Sequence, residues 1–429
     1  MLTYEETLDF LYHLEVERMD LKLERVAEAL RRCGSPQLRF PAIHVAGTNG
    51  KGSTAAFLHS LLSAAGYKVG LFTSPHLVDF CERIRLGARR ISQSEVIDGV
   101  AAIRAVVEPA GIQLTPFEMM TVLAFIAFAH EQVDVAVVEV GLGGRLDATN
   151  VLSPLISVIT SIGLDHQAYL GPTLAHIARE KGGIIKARTP VVIGRMDQES
   201  CTLLCGIAAK HGSPVVLFGK DFTVLTNATD GCDYQGLFWR LPDLQIGLRG
   251  RFQQRNAAVA LATLETIRAT FPMTEEQLCL GLLRTSWPGR LEVVSERPFV
   301  VLDGAHNPQA MEVLCAELPD VLQGRRATVL LSVMRDKDWR SMIPLLAEVA
   351  QEIVVTRVQQ VRAEDPMVLT KEIAPLLPNR VLPDAQAACR QLMAEVKPEE
   401  ALVVCGSLFL VGEVYPLFFS PDGEAAVHQ

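Results

Sequence analysis

The chain has no C-x-x-C pair, no apolar run long enough to cross a bilayer and no surplus of positive charge, and each absence removes a class of function. Its nine cysteines, Cys33, Cys81, Cys201, Cys205, Cys232, Cys279, Cys315, Cys389 and Cys405, are odd in number and scattered. Cys201 and Cys205 can share a helix face, but no histidine pair completes a zinc-like set around them. The nine read as reduced thiols, mostly buried apolar fillers, in a cytoplasmic protein. The longest apolar run, Val122 to Ala129, is far shorter than the roughly 20 residues a membrane helix needs. Met1 to Asp20 carries acidic residues where a signal peptide would be apolar, so export is not expected. A net charge of -9 argues against a broad nucleic-acid or anionic-membrane surface. Any phosphate site must be a local exception.

At 429 residues the chain exceeds the size, about 250 to 300 residues, at which one hydrophobic core stops growing, so two domains are expected. Strand-like runs at 41–46, 68–73, 134–140, 155–161 and 190–193 alternate with helix-like stretches at 53–65, 94–108, 117–131 and 173–187. That is the rhythm of a covered, mainly parallel α/β sheet. From Pro214 to Leu248 short alternating runs predict a small antiparallel sheet attached to the first domain, followed by a helix over 254–269. Trp287-Pro288-Gly289-Arg290 punctuates the chain. The βαβ rhythm then restarts with strands at 299–302, 327–333, 352–356 and 401–405. The expected architecture is α/β throughout: an N-terminal P-loop ATPase-like domain over 1–295 and a smaller Rossmann-like domain over 296–429.

The strand at 41–46 runs into Gly47-Thr-Asn-Gly-Lys-Gly-Ser53. Glycines let backbone N–H groups turn toward an anion, Lys51 adds a point charge, and a helix starting near Ser53 aims its positive end there. The loop departs from G-x-x-x-x-G-K-[ST], because Val45 replaces the first glycine and Gly52 separates Lys51 from Ser53. It is a variant cradle for a nucleoside triphosphate; a tight turn with a solvated lysine is the simpler alternative.

Other polar residues follow strands, where open α/β sheets gather ligands. Glu139 ends an apolar run and suits Mg²⁺ held jointly with phosphates, or else is a paired structural acid. Asp165 and His166 end the next strand; His166 could ligate metal, but a histidine read alone is more often a hydrogen-bonded structural residue. The segment Gly141 to Asn150 lacks the third glycine of a dinucleotide fingerprint and reads as a substrate loop. In the second domain Asp303 and His306 could address a ribose, a phosphate or a proton, or Asp303 could cap the helix beginning near Pro308.

Taken in order, these motifs resemble the folylpolyglutamate synthase and dihydrofolate synthase family, relatives of the Mur peptidoglycan ligases. The resemblance rests on Ala46 to Ser53, Thr73-Ser-Pro-His-Leu77, Glu82-Arg-Ile84, Phe117-Glu118, Glu139 to Asn150 and Leu164-Asp-His166. It continues through Arg179-Glu-Lys-Gly-Gly183, Pro288-Gly-Arg290, Asp303-Gly-Ala-His-Asn-Pro308, Asp336-Lys-Asp-Trp339 and Gly406 to Glu413. Phe252, where relatives often carry histidine, and Cys81, where asparagine is frequent, depart from the pattern.

The resemblance implies ATP-dependent amide formation, in which an acceptor carboxylate attacks the γ-phosphate and the acyl phosphate is taken by L-glutamate. Carried over by motif, Thr48, Asn49, Gly50, Lys51, Gly52 and Ser53 hold the triphosphate, with Asn256, Arg290 and Asp303 completing the ATP site. Ser53, Ser74, Glu139 and His166 are implied to hold magnesium, as two ions. Lys181 matches a position that is carbamylated in the family, and Lys51, Lys181 and His306 are the implied catalytic set. For the pterin-bearing acceptor the resemblance points to Asp20, Leu21, Thr115, Pro116, Phe117, Glu118, Leu146, Asp147 and Ala148. Arg145 and Asp147 favour acceptance of dihydropteroate as well as reduced folates by a cytoplasmic monomer. Competing expectations are folylpolyglutamate synthesis alone, a Mur-type ligase acting on a UDP-sugar peptide, or a nucleotide-gated binding protein without ligase chemistry.

Overall fold

The computed structural model describes residues 2–14, 22–227 and 231–419. Asp20 and Leu21 lie outside them. The first domain is built on β1 (Ala42–Ala46), β2 (Val69–Phe72), β3 (Ile84–Leu86), β4 (Arg89–Arg90), β5 (Val135–Glu139), β6 (Ile156–Ile159), β7 (Val191–Ile193) and β8 (Val215–Leu217). They form one eight-stranded sheet in the order β4-β3-β2-β5-β1-β6-β7-β8. It is parallel except for β3 and β4, which fold back as a hairpin. β1 is buried at every residue. Ile43 and Val45 pack under the helices Lys51–Ala64 and Arg251–Thr266, while Ala42 packs on the opposite face with Phe125 and Phe128 of the helix Pro116–Glu131. Cover on both faces is why the strands read as continuous apolar runs. The connections leaving β1 and β5 cross to opposite halves of the sheet, which opens a crevice at the carboxyl ends of these neighbouring strands.

The small antiparallel sheet, β9 (Thr223–Thr226), β10 (Cys232–Gln235) and β11 (Arg240–Leu244), begins later than the change in sequence pattern at Pro214. β8 pairs in parallel with β7 and so belongs to the large sheet. The second domain carries β12 (Glu292–Glu296), β13 (Phe299–Leu302), β14 (Arg326–Leu331), β15 (Ala350–Arg357), β16 (Asn379–Asp384) and β17 (Glu400–Cys405), in the order β12-β13-β17-β14-β15-β16. β12 is antiparallel to β13 and straddles residue 295, so the second sheet starts a few residues before the expected boundary. All nine cysteines are free, but only Cys81, Cys232, Cys389 and Cys405 are buried and Cys279 is exposed, so the thiols are less uniformly core residues than their sequence suggests. Among the described residues no helix is long and apolar enough to cross a membrane.

Candidate active site

The glycine-rich loop closes two residues earlier than expected, since its helix runs Lys51–Ala64 with Gly50 as cap. Gly50 has φ 82°, and a Cβ there would lie 2.5 Å from Asn256 Oδ1. Gly52 is helical, and a Cβ on it would meet Trp287 Nε1 at 2.9 Å, so the extra glycine after Lys51 makes room for an indole. The loop is held in shape from β6: Thr48 N–H donates to Ser161 O at 2.9 Å, and Thr160 Oγ1 donates to Asn49 O at 2.7 Å.

Two lysines converge on this loop. Lys51 Nζ donates to Gly47 O at 3.0 Å and Thr48 O at 3.2 Å, and Lys181 Nζ, from the helix Leu174–Gly182, donates to the same Gly47 O at 2.9 Å. Neither ammonium has a carboxylate within ion-pair distance among the described residues. Burial pushes both pKa values down, and with Lys51 as a like-charged neighbour the Lys181 amine falls to about 7. Two buried cations on one carbonyl form a seat that an anion would neutralise.

Glu139, at the end of β5, accepts one backbone hydrogen bond, from Ser74 N–H at 3.1 Å. Burial raises its pKa against the pull of Lys51, Arg290 and Arg83. Asp165 has more partners and joins the domains. It accepts from Lys337 Nζ at 2.6 Å, Asn307 Nδ2 at 3.1 Å and His166 N–H at 2.8 Å, with His306 Nε2 3.7 Å away. Burial alone would raise its pKa, but Lys337, His166 and His306 outweigh that and hold it well below the carboxylate range. His166 sits in the left-handed region at φ 50° with Nε2 3.3 Å from Lys337 Nζ. Burial pushes it down to about 4, so it is neutral near pH 7. Among the described residues no three His, Cys, Asp or Glu side chains cluster as a ready metal cage. Ser74 meets Glu139 through its backbone, whereas His166 faces Lys337.

Across the crevice, Asn307 and Asn49 exchange side-chain hydrogen bonds at 3.0 and 3.3 Å. Asn307, not Asp303, caps the helix Pro308–Leu322. Asp303 instead accepts Leu291 N–H at 2.8 Å and Ala305 N–H at 2.7 Å. Arg290 is close enough that a Cβ on Gly304 would lie 2.5 Å from its guanidinium. His306 Nδ1 pairs with Gly304 O at 2.8 Å, and burial first, then Lys337, brings its pKa to about 4.

Of the acceptor candidates, Thr115 and Glu118 form the capping box of the helix Pro116–Glu131, with Pro116 in its first turn. Glu118 also pairs with Arg25, Nε to Oε2 at 3.0 Å. Phe117 lies over Gly141, whose Cβ would approach its ring at 2.4 Å. Asp147 turns inward, accepting Leu142 N–H at 2.8 Å and Thr149 N–H at 3.0 Å beside buried Ala148, while Leu146 is half-buried. Asp147 therefore shapes its loop. Sequence reasoning gave no role to Lys337, Trp287 or the Arg83–His76 pair at 2.8 Å. Lys337 stood in a quoted motif, but its partner Asp165 is 172 residues away.

Residues 45–264 match the Mur ligase middle domain and residues 289–408 the Mur ligase glutamate ligase domain. Together with the crevice between two α/β domains, they define an ATP-dependent, amide-forming ligase of the Mur type. The chain belongs, within that class, to the folylpolyglutamate synthase/dihydrofolate synthase family. It is 34% identical over 425 residues to folylpolyglutamate synthase of Lacticaseibacillus casei, covering 96% of this chain and 98% of that protein. It is 35% identical over 407 residues to dihydrofolate synthase/folylpolyglutamate synthase of Bacillus subtilis, covering 91% and 94%. The structure resembles E. coli FolC in complex with DHPP and ADP, with TM-score 0.90, 32% identity and 97% of each chain covered. It also resembles the bifunctional folylpolyglutamate synthase/dihydrofolate synthase of Yersinia pestis complexed with AMPPNP and Mn ion, with TM-score 0.88, 33% identity and coverage of 97% and 98%.

Proposed function

We propose that this chain joins L-glutamate to pterin-bearing carboxylates, taking dihydropteroate to dihydrofolate and extending reduced folates to polyglutamates. The observation that carries the reading is the convergence of Lys51 and Lys181 on Gly47 O, beside a crevice closed by second-domain residues. In this reading Thr48 to Ser53 and Lys51 cradle the triphosphate, and Asn256, Arg290 and Asp303 complete the nucleotide site. The acceptor carboxylate oxygen bonds to the γ-phosphorus as ADP leaves. The glutamate amine then attacks the acyl carbon of the acyl phosphate, and phosphate leaves. His306, neutral with Nδ1 fixed by Gly304 O, leaves Nε2 to take the amine's proton.

Glu139 fits a divalent cation, because a buried carboxylate with one hydrogen-bond donor is stabilised by positive charge. Ser53, Ser74 and His166 complete the proposed set; magnesium, when bound, offsets charge on the transferred phosphoryl group. An amine held near pH 7 is neutral often enough to add CO₂, so Lys181 is proposed to become a carbamate that helps hold a second ion. The acceptor's ring is assigned to Phe117 with Thr115, Pro116 and Glu118 and the loop Leu146 to Ala148, and to Asp20 and Leu21. The protein is taken to work as a cytoplasmic monomer. Purified protein with ATP, Mg²⁺ and glutamate, offered dihydropteroate or tetrahydrofolate separately, is expected to add a glutamyl mass to both. A product from tetrahydrofolate alone restricts the activity to folylpolyglutamate synthesis; no glutamyl product from either defeats the proposal.

A further inference from the structure

Behind the phosphate loop lies a second cavity, of about 390 Å³, that the proposed reaction leaves without a role. Its walls include His59 and Ser63 of the loop's own helix, Tyr67, Arg85 of β3, Arg284 and Trp287. The volume is that of a small-molecule site. Two features make it anion-seeking. Arg85 is half-buried, its Nε has no hydrogen-bond partner, and it makes no ion pair among the described residues. The carboxylate that bears on it, Glu82, is already engaged by the backbone N–H groups of Leu77, Val78 and Asp79, at 2.8, 3.2 and 3.0 Å, and lies 3.9 Å from Arg90. Arg284, ending the helix Glu275–Arg284, brings a second guanidinium to the same wall, also without an ion pair among the described residues. A partly buried cation lacking its counter-charge is costly, and guanidinium forks match phosphate and carboxylate oxygens.

The cavity is also coupled to the active site. The Arg85 guanidinium lies 6.0 Å from the centre of the Trp287 ring, and the same indole rests on Gly52 of the phosphate loop. Trp287 and Arg85 also line the crevice that contains Ser74, Glu139 and Arg290. We infer that this cavity is a second site for a small oxyanion, bearing phosphate or carboxylate, bound between Arg85 and Arg284 and felt at the phosphate loop through Trp287. The phosphate source would be a free metabolite. The carboxylate source would be an oligoglutamate, free or attached to an acceptor.

The test is ¹⁹F NMR of protein carrying 5-fluorotryptophan at its three tryptophans, with the Trp287 signal assigned from Trp287→Phe. Inorganic phosphate and tri-γ-glutamate are titrated separately into the Lys51→Ala protein, so that the phosphate loop does not supply the response. At least one probe is expected to shift the Trp287 signal saturably. Affinity is expected to fall about tenfold or more in Arg85→Gln and in Arg284→Gln. Arg284 is exposed at a helix end, so its variant serves even if the β3 substitution disturbs folding. A shift with phosphate only or with tri-γ-glutamate only supports the site and identifies its source. The inference is overturned if neither probe moves the signal, or if the shift persists at unchanged affinity in Arg284→Gln. These outcomes are read without turnover, so they stand apart from the fate of the proposed reaction.

Discussion

Glu139 and Asp303 occupy matching places, each a buried carboxylate at or just after a strand end facing the same crevice, yet their surroundings are opposite. Asp303 has both oxygens engaged by backbone N–H groups of Leu291 and Ala305, whereas Glu139 has one such bond, from Ser74, and several nearby cations. The first is held by the architecture; the second retains acceptor capacity for a ligand. Backbone donors fix Asp303 in place for the proposed nucleotide site, while the less engaged Glu139 keeps more room for a cation.

The largest expected effect falls on Lys181, which belongs with Glu139 on the side open to ligands. Lys181→Ala is expected to lower glutamyl transfer by about a thousandfold with partial return in added acetate or formate, measured as product mass against time. Unaltered turnover would remove Lys181 from the chemistry. Glu139→Gln should cost about a hundredfold in kcat and shift the Mg²⁺ dependence, while the urea midpoint stays the same or rises. Asp303→Asn should do the reverse in stability, lowering it by about 1–3 kcal/mol in urea titrations, because an amide NH₂ would face backbone donors. If the two variants destabilise equally, the contrast between the acids is wrong.

A smaller effect follows from protonation. The Lys181 amine titrates near 7 in the fold against 10.5 for an ordinary lysine. Between those values the unfolded chain binds the extra proton, so stability should rise with pH across that window and be independent of this group below it. The slope is at most about 1.4 kcal/mol per pH unit, and should disappear in Lys181→Met, by urea unfolding in CO₂-free buffer. The smallest effect is steric. Gly52→Ala should weaken ATP binding about fivefold by pushing Trp287 off the loop, with recovery in the Trp287→Phe double variant, by calorimetric titration.

Much of this fold is legible from apolar rhythm, because strands covered on both faces leave continuous runs. β1, β5, β6 and β7 fall within a residue or two of the stretches that predict them. The helix expected over 173–187 stops at Gly182, where two glycines interrupt it. The hairpin β3–β4 and the strand β12 leave weak signals because β3 and β4 are only three and two residues long and β4 and β12 lie at sheet edges. In the site, the reading of Gly47 to Ser53 as a phosphate cradle rests on local pattern alone. The Asp165–Lys337 pair has no local pattern, because its geometry exists only once the two domains meet.

The contacts spanning the crevice, Asn49 with Asn307 and Asp165 with Lys337, consist of groups that water can satisfy in turn. Beside them Leu77 and Phe252 of the first domain pack against the second domain's apolar core, so parting the seam would bare those side chains as well and carry some of the heat-capacity change that marks unfolding.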